Sequence, residues 1–273
     1  MTYAETGAAL PHPIRVLVKG SSLVVMTPEW NGERGEVTFP RWVQNGLLDR
    51  GRPCELANHG VPGELTRRAF RSWESDVMAG APDVVIYGYA YYECIHALLP
   101  NWLERHVNRY DGRTGPVRTR YRGWLLRPVW KLLAQTQRVL DRVISDRLFR
   151  RRSRRIALDY ELLIQRTRTL GPGAPLVFVL ALLGPGGKAG DWFPGMQARI
   201  DRMNGALEAM VHRLDDPGVR LVPVPALVGR LDPPEDPVPD GLHYSPRMRR
   251  IIGDWLAGEI DAAIPRSTSA LPD

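Results

Sequence analysis

The stretch Arg15–Val24, RVLVKGSSLV, holds the repeating unit of the fold in miniature. Val16, Leu17 and Val18, preceded by Ile14, form a short continuous apolar run, the pattern of a strand buried on both faces. The run passes through Lys19 into Gly20, Ser21 and Ser22. Small residues at a strand end turn the backbone sharply. A strand end is also where a parallel sheet presents reactive groups. Ser22 therefore reads either as a turn or N-cap residue or as a nucleophile, with Ser21 its rival.

The same unit recurs along the sequence. PCELANHG (53–60) reads as a second, weaker strand ending at Asn58, PDVVIYGY (82–89) as a third and PLVFVLALLG (175–184) as the most apolar, fourth. VRLVPVP (219–225) reads as a short fifth. Between them, Leu65, Ala69, Trp73 and Val77 predict a helix over 64–79. Ile200, Met203, Leu207 and Val211 predict another over 197–214, and Ile251, Trp255 and Ile260 a last one over 246–264. Strands alternating with helices give a parallel sheet covered on both faces. The expected fold is a three-layer, flavodoxin-like α/β sheet of about five strands. Right-handed crossovers would then gather the loops after Ser22, Gly63, Tyr89 and Gly184 on the carboxyl edge.

A polypeptide of 273 residues, 44% hydrophobic, is long enough for one large domain with a substantial core, taken here as 1–273. One segment exceeds the minimum. Roughly 85 residues, 91–174, separate the third and fourth strands, where about a dozen suffice for a crossover. VWKLLAQTQRVLDRVI (129–144) and IALDYELLIQRT (156–167) give it helical character, so it reads as a helical insertion or cap. It also carries much of the net charge of +7, between Arg113 and Arg168 and densest at RLFRRRSRR (147–155). Such a face attracts an acidic carrier protein or another anionic surface, or is simply solvated. It lacks the aromatic interleaving of a nucleic-acid module, so no nucleic acid is expected.

Two cysteines, Cys54 and Cys94, are too few for a disulfide framework and fit a reducing compartment. The opening MTYAETGAALPHP lacks a basic start with an apolar core, and no apolar run is long enough for a membrane span. Both set the expectation of a cytoplasmic protein. Six scattered histidines show no ligand spacing, and GPGGKAG (184–190) lacks the spacing and hydroxyl of a phosphate loop. No metal or cofactor is expected.

Near the other end lies VPDGLHYSP (238–246). Asp240 and His243 sit three apart in a proline-flanked loop before the last helix. There the carboxylate can hold one ring nitrogen while the other accepts a proton from a hydroxyl. This order, a serine after the first strand and an Asp–His pair before the last helix, differs from the mid-sequence G-x-S-x-G elbow of the α/β-hydrolases.

It resembles the SGNH, or GDSL-type, hydrolases. Gly20-Ser21-Ser22 matches their G-D-S block, Asn58-His59-Gly60-Val61-Pro62-Gly63 their N-x-G-x-x-G-like turn, and Asp240-Gly241-Leu242-His243 their D-x-x-H. Residues 192–207, WFPGMQARIDRMNGAL, are similar to a segment that many bacterial members carry. The resemblance implies an esterase or acyltransferase without cofactor, with Ser22 as nucleophile, His243 as base and Asp240 as its orienter. It implies an oxyanion hole built on the backbone N–H groups of Ser22 and Gly63. Two positions depart from the pattern. Ser21 replaces the Asp of the first block, and Gly88-Tyr89-Ala90-Tyr91 stands where the family has G-x-N-D. Ala90 thus lacks the donor that the family's asparagine supplies. Asn58, Tyr89, Tyr91 and His96 are the candidates for a substitute donor or for a substrate pocket, and the tyrosines equally suit core packing. Cys94 and His96, two apart, do not share a face, so a cysteine mechanism is disfavoured. The rival expectation keeps the fold but not the rate: a weakly catalytic binding protein docking an anionic partner through the insertion.

Overall fold

The structure, a computed structural model, describes residues 12–27, 38–95, 115–144 and 149–266. Five parallel strands form one sheet: β1 (Ile14–Gly20), β2 (Cys54–Asn58), β3 (Val84–Gly88), β4 (Leu176–Leu180) and β5 (Val219–Val222), in the order β2-β1-β3-β4-β5. This is the expected α/β sheet. The central strands are aliphatic runs buried on both faces; every residue of β3 is buried. At the edge strand β2, Glu55 and Ala57 are exposed, alternating with less exposed neighbours.

The helices are α1 (Phe39–Asp49), α2 (Tyr91–Ile95), α3 (Pro116–Tyr121), α4 (Arg127–Ile144), α5 (Phe149–Leu170), α6 (Gly187–Trp192), α7 (Met196–Leu214), α8 (Val224–Leu227) and α9 (Pro246–Ala263). The backbone leaves β1 toward β2 and later returns across it to β3. Right-handed crossovers therefore place α1 on one face and the β2–β3, β3–β4 and β4–β5 connections on the other. The contacts agree: α1 packs on α9, and α5 packs on α7 and on residues 66–72. The reversal of direction between β1 and β3 is the topological switch point, where an α/β sheet opens a crevice at its carboxyl edge.

Two elements differ from the sequence reading. Phe39–Asp49 forms a helix that the apolar pattern did not announce. The helix expected over 64–79 is a 3₁₀ stretch, Thr66–Ser72, followed by a π turn, Glu74–Met78. This irregular winding presents Ser72 and Asp76 together to the buried Lys19 ammonium, with Ser72 Oγ at 2.7 Å from Nζ.

The segment between β3 and β4 is helical where it is described, and its two halves differ. The later half, α5, packs as a layer beside the sheet. Its Thr167 Oγ1 lies 2.8 Å from Tyr87 Oη and accepts from Trp73 Nε1 at 3.0 Å. The earlier half, made of α3, the turn Arg122–Leu126 and α4, is the arm. Gln137 of α4 donates to the Ile95 carbonyl at 2.9 Å, which seats the arm against α2 at the carboxyl end of β3.

Gly20 and Gly88 are register partners on β1 and β3. A Cβ at Gly20 would lie 2.5 Å from the Gly88 carbonyl oxygen and 2.8 Å from Val24 Cγ1. Gly20→Ala is expected to lower stability by about 2–3 kcal/mol through overpacking, read as a lower urea midpoint at unchanged m-value.

Candidate active site

The turn after β1 is tied to its neighbours by backbone bonds. Ser21 N–H donates to the Gly88 carbonyl at 3.1 Å, and the Ser22 carbonyl accepts from Val25 and Met26 at 3.1 and 2.7 Å. These bonds wind Ser22–Val24 into one 3₁₀ turn. They also separate the two serines. Ser21 is fully buried, and its hydroxyl is sealed from solvent without a partner among the described residues. Ser22 is half-buried, and its hydroxyl has no hydrogen-bond partner among the described residues. Of the two rivals, Ser22 is the more exposed.

The turn after β2 locks onto the first. Val61 N–H donates to the Gly20 carbonyl at 2.9 Å. Asn58 Nδ2 donates to the Val24 carbonyl at 2.8 Å, and its Oδ1 accepts from Gly60 N–H at 3.1 Å. Both ends of the Asn58 amide are thus occupied in joining two loops. Gly63 takes φ +68°, the left-handed region that glycine enters without a Cβ penalty. Among the described residues, no protein acceptor receives the N–H of Ser22 or of Gly63.

On the far side, Asp240 and His243 form a tight pair. His243 Nδ1 lies 2.6 Å from Asp240 Oδ2, and Asp240 Oδ1 accepts the backbone N–H groups of Leu242 and His243 at 2.8 and 2.7 Å. Burial raises the Asp240 carboxyl, but the bonds from the His243 ring and the two amides outweigh it and hold it below the usual carboxylate range. The loop is fixed at its end by Ser245. Its N–H donates to the Pro237 carbonyl at 2.8 Å, and its Oγ accepts from Met248 N–H at 3.2 Å as the N-cap of α9. With Nδ1 engaged, the second ring nitrogen of His243 has no partner among the described residues. No hydrogen bond joins it to Ser22; such contacts often tighten only around substrate.

The third block supplies a prepared backbone but no donor beyond it. Ala90 is buried at φ +71°, a left-handed conformation that a non-glycine residue rarely adopts and asparagine adopts most readily. The candidate substitutes separate. Asn58 is committed as described. Tyr89 is buried, donating its hydroxyl to Glu64 at 3.3 Å and its N–H to Tyr160 Oη at 2.8 Å. Tyr91 is buried with its hydroxyl unpartnered among the described residues. Burial first, then Tyr244, Cys94 and Asp240, push that hydroxyl well above its usual range. Those neighbours place the start of α2 beside the Asp240 loop. His96 lies outside the described residues. His59 points elsewhere, its Nδ1 2.9 Å from Asp76 Oδ1. Cys94 and Cys54 are free and buried, and burial raises both thiols, Cys54 to about 11.

Two residues unread in the sequence support this edge. Asn204 on α7 bonds the Leu182 N–H and carbonyl, both at 2.7 Å, and so fixes the backbone leaving β4. Glu93 is buried and accepts from Thr66 N and Oγ1 at 3.3 and 3.0 Å, and from Ala90 N–H. Burial pushes its carboxyl up to about 7 against the pull of Thr66, Arg152 and Ala90. A carboxyl raised on folding holds its proton in the folded protein while the unfolded one loses it, so stability falls as pH rises from about 4.5 to about 7. The shift corresponds to about 3 kcal/mol. Glu93→Gln is expected to flatten this slope, measured by urea unfolding at pH ~5 and ~7.5. Asp76 and Asp240, both lowered, lose their contribution only as pH falls below about 4, outside that window.

The whole architecture recurs among solved structures. A lipase/acylhydrolase from Enterococcus faecalis superposes with a TM-score of 0.59 at 13% identity, over 94% of this protein and 100% of that one. The fold is that of the GDSL-type, or SGNH, hydrolases. An aryl esterase from M. smegmatis (TM-score 0.57, 16% identity, 92% and 100% covered) shares it. So does Est24, a carbohydrate acetylesterase from Sinorhizobium meliloti (0.55, 14%, 92% and 100%). No family model matches the sequence, and no curated protein sequence matches it. Among the described residues there is no cluster of potential metal ligands and no helix long and apolar enough to cross a membrane.

Proposed function

We propose that this SGNH-fold protein is a serine hydrolase of carboxylic esters working through an acyl-enzyme on Ser22. The observation that carries the reading is the Asp240–His243 pair, held at 2.6 Å in a protein whose first strand runs out of Gly20 into a turn holding the half-buried Ser22. Ser22 Oγ attacks the ester carbonyl and gives its proton to the second ring nitrogen of His243. Asp240, kept ionised, stabilises the imidazolium so formed. The N–H groups of Ser22 and Gly63 donate to the tetrahedral oxyanion. On collapse, His243 returns the proton to the departing alcohol. Water, or an alcohol in the transferase version, then attacks the acyl-enzyme with His243 as base. Esterases and lipases among the structural relatives make esters the first substrates to try.

A fluorophosphonate probe tests the reading directly. Labelling mapped by mass spectrometry to the peptide containing Ser22, and absent from Ser22→Ala, is the expected result. Labelling at another residue, or equal labelling of the variant, would sink it. One observation favours the rival, a weakly catalytic binding protein: the methyl group of Ala90 where a donor is usual. A folded protein that neither labels nor cleaves p-nitrophenyl acetate above the buffer rate would decide for the rival.

A further inference from the structure

The arginines of α5 differ in what they face. Some serve the fold. Arg168 forms a two-pronged pair with Asp216 at 2.7 and 2.8 Å. Arg166 lies over the Trp73 ring, 4.2 Å from its centroid. Arg150 and Arg154 border a shallow site beside Arg202, while Arg151, Arg152 and Arg155 face a cavity of about 470 Å³ between Leu65 and Arg67, α2 and the first half of α5. Arg67, Arg151, Arg152 and Arg155 line it, with Glu93 and Asp159. Arg67 and Arg155 are near enough to Asp159 to pull its carboxyl down, against the larger effect of burial. Even so, Arg67, Arg151 and Arg155 form no hydrogen bond or close ion pair among the described residues. Arg151 and Arg155 are one helical turn apart, a spacing at which like charges repel. The fold itself engages none of these three exposed guanidiniums. A bound anion can, because their planar forks match its oxygens.

The cavity is walled by loops that also carry candidate active-site residues. Leu65 is two residues beyond Gly63, so its Cα lies within about 7 Å of the Gly63 Cα. Glu93 bonds at once to Thr66 of the second loop and to Ala90 of the third. The cavity wall is therefore built from the same two turns that flank the oxyanion site. With Arg152 set beside Glu93, Arg67, Arg151 and Arg155 stand against Asp159 among the described lining residues, a surplus of two positive charges that matches a phosphate dianion better than a single carboxylate.

We propose that this arginine-lined cavity binds a phosphate group carried by the ester substrate, so that the enzyme prefers small phosphorylated esters. The proposal rests on the serine-esterase reading for its catalytic part, but phosphate binding can be tested without it. The larger cavity of about 520 Å³, lined by His12, Arg52, Asp83 and Arg266, lies at the amino ends of the strands and has no part in this.

Two measurements test it. In the first, glycerol 1-acetate 3-phosphate and glycerol 1-acetate are compared as substrates. The wild type is expected to favour the phosphorylated ester by at least ~10-fold in kcat/KM, and the double variant Arg151→Gln/Arg155→Gln to bring the ratio near one. A wild-type ratio near one, or an unchanged preference in the variant, overturns the proposal. In the second, inorganic phosphate is titrated calorimetrically into the full-length protein. Binding by the wild type that weakens at least ~10-fold in the double variant supports the cavity assignment even if neither ester is cleaved, which would count against the Ser22 reading alone. Absence of binding, or equal binding by the variant, overturns the phosphate site whatever the esterase assay gives.

Discussion

Ser22→Ala is expected to lose both ester cleavage and phosphonate labelling while keeping its thermal midpoint. Ser22 is half-buried, and its hydroxyl makes no hydrogen bond among the described residues, so its removal leaves no buried group unsatisfied. Catalysis has no such tolerance. Without the nucleophile, the residual rate comes from the oxyanion donors and binding alone, and a loss on the order of 10⁴- to 10⁶-fold in kcat follows. Asp240→Asn is expected to cost about 10⁴-fold by presenting the wrong tautomer of His243 to the serine. The two losses do not add, because the residues act as a unit: the double variant is expected to match Ser22→Ala. A p-nitrophenyl acetate assay with active-site titration checks all three. If Ser22→Ala keeps more than about a tenth of the wild-type rate, Ser22 is not the nucleophile.

The sheet and the Asp–His pair are legible in the sequence because both depend on short-range pattern. Val84–Gly88 and Leu176–Leu180 are apolar runs bounded by turn residues, and that pattern alone marks them. Asp240 and His243 are three residues apart, so their bond is local. What the sequence hid depends on distant partners. Gly46 breaks the apolar pattern of α1, yet a Cβ there would come within 2.8 Å of Ala257 Cβ on α9; the glycine permits the close helix approach. The distorted winding over 66–78 goes with a buried ammonium reaching out of β1 to Ser72 and Asp76, a distant contact that no local propensity encodes. The arginines of α5 look alike in sequence. Telling the fold-holding ones from the cavity-lining ones needs Trp73, Asp216 and Arg67 in place around them. The sealed hydroxyl of Ser21 and the open one of Ser22 are told apart by the bond from Ser21 N–H to Gly88, a residue 67 positions away.

Ala90→Asn is expected to raise kcat by about 100-fold, within the 10²–10³ that a single oxyanion donor is worth. The backbone is prepared for it: at φ +71° alanine is strained, whereas asparagine is among the residues that enter the left-handed region most readily. Its N–H already donates to Glu93, and its carbonyl accepts from Cys94 N–H at 3.2 Å, so the turns on both sides are held by backbone bonds that the substitution leaves in place. The position is fully buried, and the larger amide displaces packing. Ala90→Gly separates the two effects, since glycine relieves the backbone strain without supplying a donor. If the donor is what the site lacks, Ala90→Asn is much faster than the wild type and Ala90→Gly is not. Equal rates in all three, with the fold intact by circular dichroism, would mean that the oxyanion is already fully served. The burden would then rest on the N–H groups of Ser22 and Gly63 alone, or on a donor that the substrate itself brings into the crevice.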